Sequence, residues 1–136
     1  MNKLLLSVLL LGSALFADDM AEKIKKQNIQ IVQMAAKELS SQLPQKIDNY
    51  TQLVKIEGKD QSLLYTFEIN TGSKSDEAVI KEDRSRMQKA VTQGVCNSSA
   101  RFLQSGIDIS YIYTSAKSKK ELFRFDIRKK DCGNLK

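Results

Sequence analysis

Two stretches of strict alternation constrain this chain most. In Leu63, Tyr65, Phe67 and Ile69 an apolar side chain returns at every second residue, with Thr66 and Glu68 between them. Phe123, Phe125 and Ile127 repeat the pattern around Arg124 and Asp126. Successive side chains of a strand point to opposite faces, so each stretch reads as a strand with one dry and one wet face. Such strands need partners and a covering layer. Tyr50 to Glu57 precedes the first, across the turn signal Gly58-Lys59-Asp60. Ile107 to Thr114 precedes the second, across the polar reversal Ser115 to Lys119. Two antiparallel hairpins are expected.

The cover has a helical period. Over residues 20–42, Ile24, Ile31, Val32, Ala35, Leu39 and Leu43 recur at steps of three and four as one inward stripe. Asp18 and Asp19 suit the start of that helix, and Pro44 stops it. A second helix over residues 76–95 is capped by Ser75 or Asp76, with Met87, Val91 and Val95 inward. A short third helix carries Phe102 and Leu103 and ends at Gly106. The order is α-β-β-α-α-β-β. The expected fold is α+β: a single antiparallel sheet of four to five strands, flanked on one side by helices. At 136 residues the chain makes one domain.

The N-terminus sets the compartment. Lys3, the apolar run Leu4 to Leu11, and Gly12, Ser13 and Ala14 read as a secretory signal over residues 1–17. Cleavage is expected after Ala17, or after Ala14, leaving a single periplasmic domain over residues 18–136. No Cys follows the apolar run, so the chain is not expected to be a lipoprotein. Cys96 and Cys132 are the only cysteines, and in an oxidising compartment they are expected to pair.

Composition argues against catalysis. There is no His, which removes the common general base and the His-dependent triads. Two cysteines cannot make a four-cysteine zinc site. Asp108, Glu121, Asp126 and Asp131 fall on exposed strand positions or turns, with no spacing that positions a substrate. Neither a catalytic residue, a metal site nor a small-molecule cofactor is expected. The net charge is +6, and loss of residues 1–17 removes Lys3 alone, leaving +5. The concentrated stretch from Lys117 to Lys130 reads as a solvated hairpin face. No glycine-rich loop or aromatic-lined basic stripe points to nucleic acid.

The order of landmarks resembles a known family. The run Ala36-Lys37-Glu38-Leu39-Ser40-Ser41-Gln42-Leu43-Pro44, followed by Tyr50 opening a strand, is similar to the start of the AspS-type pilotins of the type II secretion system. The second half matches too: a helix ending in Val95-Cys96, a short helix ending at Gly106, the strand Ile109-Ser110-Tyr111-Ile112, and a final Asp131-Cys132-Gly133. The resemblance covers roughly residues 30–136. It implies a small non-catalytic periplasmic protein that binds a C-terminal helix of a secretin and assists its targeting or assembly. It also implies that Cys96 and Cys132 form an internal disulfide. One departure is the missing lipid-bearing Cys, so membrane association is expected only through the partner.

The expected partner is a secretin helix or another envelope protein. With the outer sheet face polar, the groove for an amphipathic helix is expected among the helices, near Ile31, Met34, Met87 and Val91. An alternative is a periplasmic inhibitor or immunity-type protein, presenting the lysine-rich turn Ser115 to Lys120 as a plug.

Overall fold

The computed structural model describes residues 2–133, with side chains from Ala17 onward. Its elements are α1 (Asn2–Ser40), β1 (Gln45–Lys46), β2 (Thr51–Lys59), β3 (Ser62–Ile69), α2 (Asp76–Ser98), α3 (Ala100–Gln104), β4 (Asp108–Ser115) and β5 (Glu121–Ile127), closed by a 3-10 turn (Lys129–Cys132). The α+β class and the element order are those expected. The five strands form one sheet in the order β1-β2-β3-β4-β5.

The sheet is mixed rather than wholly antiparallel. Both hairpins, β2–β3 and β4–β5, are antiparallel as their alternation predicts. They meet at the centre through a parallel pair, β3–β4. The reason lies in the connection. The chain leaves β3, crosses the sheet through α2 and α3, and re-enters at the end where β3 began, and a crossover of that kind delivers parallel strands.

Apolar alternation fills one face. Leu63 opposes Ile109, Tyr65 opposes Tyr111 and Phe67 opposes Tyr113; Ile109, Tyr111 and Tyr113 then meet Ile127, Phe125 and Phe123. The reverse face carries the polar set, with ion pairs Arg124–Asp126 at 3.1 Å, Lys119–Glu68 at 3.1 Å and Arg128–Asp108 at 3.7 Å. All are solvent-accessible and worth little individually.

Local chemistry sets the helix ends. The Ser75 hydroxyl accepts from the Ala78 N–H at 3.2 Å, and Asp76 and Glu77 sit in the first turn of α2, where the helix dipole favours them. Gly106 adopts φ +86°, a left-handed residue that ends α3. Cys96, near the end of α2, is bonded to Cys132 of the closing turn, with Cα atoms 5.5 Å apart.

Three local expectations change. In the uncleaved chain α1 runs through Asp18 and Asp19 from Asn2, so they would open the helix only once residues 1–17 are removed; the side chains of residues 1–16, which carry the signal reading, lie outside the described residues. Gly58 belongs to β2 rather than to a turn, and Asp60, at φ +51°, takes the reversal. The single inward stripe of α1 divides in two. Asn28, Val32 and Ala36 are buried against the sheet, whereas Ile24, Ile31 and Leu39 are exposed. Apolar residues spread over more than a third of the helix circumference cannot all face a flat sheet, and the close approach at Gly58 fixes which face wins.

Candidate functional site

The helical layer has a gap in it. α1 packs on β2 and the edge of β3, while α2 packs on β5 and the edge of β4. Between them lies the parallel pair, where Tyr65 and Tyr111 stand side by side with ring centroids 5.2 Å apart. Both are half-buried, although Leu63 and Ile109, one step along the same face, are completely buried. Phe67 lies against Tyr111 at 4.9 Å and stacks on Tyr113 at 4.8 Å. An aromatic floor is therefore open between two helices.

This floor is apolar with polar tips. Burial pushes the Tyr65 hydroxyl up to about 12, with the neighbouring Tyr111 adding to the effect. Burial also raises Tyr111 and Tyr113. All three therefore stay neutral at physiological pH and act as hydrogen-bonding groups rather than charges. Among the described residues no buried side-chain nitrogen or oxygen lacks a partner. The hydroxyls of Tyr65 and Tyr111, which have no protein partner among those residues, thus keep some contact with solvent.

The walls come from α1 and α2. Gln33 and Ser40 donate to the backbone oxygens of Gly58 and Ile56, marking the outer side of α1. Asn28 donates to Gln61 Oε1 at 3.0 Å and to the Ser105 carbonyl at 2.8 Å, marking its inner side. Ile31 follows Asn28 by one turn, at the level where Val32 meets Gly58, and borders the gap, whereas Ile24 lies one turn before Asn28, past the end of the strands. Ile31 is 43% exposed; Met34, two residues past the buried Val32 and so on the opposite side of the helix, is 72% exposed. On α2 the Arg84 guanidinium lies over the Phe123 ring at 5.6 Å, which marks the outer side. Met87, with Ile80, is half-buried against the core on the other flank.

The four residues expected at a groove thus separate. Ile31 is available on one wall, and Met34 is exposed on the outward side of α1. Met87 is partly available on the other wall. Val91, at 7% exposure, is a core residue that can only support that wall. Tyr65 and Tyr111 are not among the four residues that the sequence singles out. Their alternation marked them as inward-facing, and nothing local shows that the layer above them is split.

The remaining candidates have structural duties. Asp126 accepts from Ser110 Oγ at 2.5 Å as well as pairing with Arg124, and Asp131 accepts from the Arg128 N–H at 2.8 Å. Among the described residues no cluster of His, Cys, Asp or Glu could hold a metal ion. The lysine-rich turn is tied down: Lys117 Nζ donates to the Gly72 carbonyl and Ser118 Oγ to Asp76 at 2.7 Å. A cleft of about 210 Å³ beside the disulfide is lined by Asn97, Leu103, Gln104 and Lys129. No helix among the described residues is long and apolar enough to cross a membrane.

Solved structures share this architecture. The pilotin EpsS of the Vibrio vulnificus type 2 secretion system superposes with a TM-score of 0.70 at 12% identity, covering 84% of this chain and 99% of its own. The pilotin AspS of the Vibrio cholerae type II secretion system gives 0.63 at 19% identity, covering 83% and 98%. A candidate secreted protein of Pseudomonas aeruginosa gives 0.70 at 14% identity, covering 80% and 96%. At such identities the likeness is one of fold, and the fold is that of these pilotins. No curated protein matches the sequence. One family model does, over residues 19–123, and by that match the chain belongs to the family described as a domain of unknown function, DUF8479.

Proposed function

We propose that this chain is a non-catalytic periplasmic binding protein that takes an amphipathic helix of a secretin-like outer-membrane protein and assists its targeting or assembly. The observation that carries the reading is the partly uncovered pair Tyr65 and Tyr111 beside the exposed Ile31. A helix laid there buries its apolar face against aromatic rings and the half-buried Met87, a surface that adapts to its occupant. The shared fold of two type II secretion pilotins supports a secretin as the source of that helix.

Export completes the picture. Residues 1–17 are a signal cut after Ala17, which places Asp18 and Asp19 in the first turn of the mature helix, where acids are favourable. N-terminal sequencing of the exported protein should begin at Asp18.

The test is capture from native envelope with the tagged exported protein after mild crosslinking. A secretin subunit should be recovered, and lost when its C-terminal helix is deleted. Recovery of a hydrolase or toxin without a secretin would move the function to inhibition. The Ser115–Lys120 turn, although exposed, is held against Gly72 and Asp76, which weighs against a mobile plug.

A further inference from the structure

α1 carries two apolar stripes, and the sheet uses one. Met20, Ile24, Gln27, Ile31 and Met34 recur at alternating steps of four and three residues beside the buried stripe, and all five are exposed. A stripe that averages about 3.5 residues per turn has the spacing of a coiled-coil seam, here over two heptads. Ile24 and Ile31 occupy one seam position; Met20, Gln27 and Met34 occupy the other. The solvent-side rim repeats every seventh residue as Lys23, Gln30 and Lys37, all exposed. Neither lysine is in an ion pair among the described residues. The sheet-side rim, Ala21, Asn28 and Ala35, is uncharged.

We propose that this seam docks a single amphipathic helix of about two heptads whose flank carries Asp or Glu opposite Lys23 and Lys37, with Gln27 setting register against a polar seam residue. The proposal rests on the helix-binding reading above and names the surface and the chemistry of the partner. A second copy is the poorer occupant. Antiparallel pairing sets lysine rim against lysine rim, and parallel pairing sets each lysine beside an uncharged rim. An anionic bilayer attracts the lysines too, but Gln27 interrupts the face that would enter it, whereas a partner helix can hydrogen-bond that amide.

Two synthetic peptides of about three heptads test this. Both carry Ile and Leu in the seam with one Asn; one has Glu along its flank, the other Lys. Against the exported protein the Glu peptide should bind about tenfold more tightly at low salt, with the gap closing at high salt. The double variant Lys23→Glu/Lys37→Glu should reverse the preference. Met34→Asp, at an exposed position, should abolish binding with the melting temperature unchanged. Equal affinities, binding of neither peptide, or a preference that survives charge reversal overturns the proposal. A dimer of the protein alone, or cosedimentation with phosphatidylglycerol vesicles, overturns it equally if Met34→Asp abolishes either. A secretin captured by a protein that ignores both peptides keeps the function and refutes the seam. Selective peptide binding without a captured secretin keeps the seam and refutes the secretin.

Discussion

A Cβ on Gly58 would lie 2.7 Å from Val32 Cγ1 and 3.1 Å from the Val32 carbonyl oxygen. Helix α1 therefore rests directly on the backbone of β2, and Val32 is completely buried there. This contact sets the height and rotation of α1, and with them which stripe faces the sheet. Gly58→Ala should destabilise the protein by about 1–3 kcal/mol, the usual range for overpacking. Thermal melts of Gly58→Ala, Val32→Ala and the double variant should show the second substitution partly relieving the first. Additive losses would mean that the two residues are not in tight contact.

The disulfide closes the far end of the layer. It joins Cys96 to Cys132 across a sequence separation of 36 residues. In the chain-entropy model a loop of that size is worth about 3–4 kcal/mol. Cys96→Ser/Cys132→Ser should lower stability by about that amount in urea. Intact-mass analysis of the exported protein without reductant should show the loss of two hydrogens, and two free thiols there would contradict the bond.

Alkaline pH should weaken the fold through the tyrosine floor. The Tyr65 hydroxyl titrates at about 12 in the folded chain against 10.0 when unperturbed. A raised value means that the folded state holds the proton longer. Its contribution is complete below pH 10 and is lost as pH rises towards 12. Stability should therefore fall over that window, and Tyr65→Phe should flatten the fall. A slope unchanged in Tyr65→Phe would assign the loss to other groups.

The two methionines should separate binding from folding. Met34 is mostly exposed, so Met34→Asp should abolish helix binding with less than about 0.5 kcal/mol lost in stability. Met87 packs against the core, so Met87→Asp should lose binding and also about 1–3 kcal/mol of stability. Calorimetric titration beside thermal melts reads both. Full binding by a folded Met34→Asp protein would remove α1 from the site.

Much of this was legible in the chain. Period-two runs such as Leu63 to Ile69 announce strands, because only alternation matches a half-buried sheet. Ser75 and Gly106 mark helix ends through one side-chain oxygen and one left-handed residue. Ile31, Met34 and Met87 could be named as candidates because methionine and isoleucine on helices are the raw material of adaptable apolar surfaces. Val91 could not be told from them, since burial depends on what stands opposite.

What the sequence determined by itself was local: the periods of strands and helices, the caps, the count of two cysteines and the absence of His. These follow from each residue's own geometry and chemistry. Tertiary structure alone decided the parallel seam between β3 and β4, the pairing of α1 with β2 and of α2 with β5, and hence the opening over Tyr65 and Tyr111. It also decided that one apolar stripe of α1 lies under cover and the other faces outward. These outcomes depend on how far apart two packed helices sit on a sheet, and that distance belongs to contacts such as Gly58 with Val32, between residues far apart in the chain.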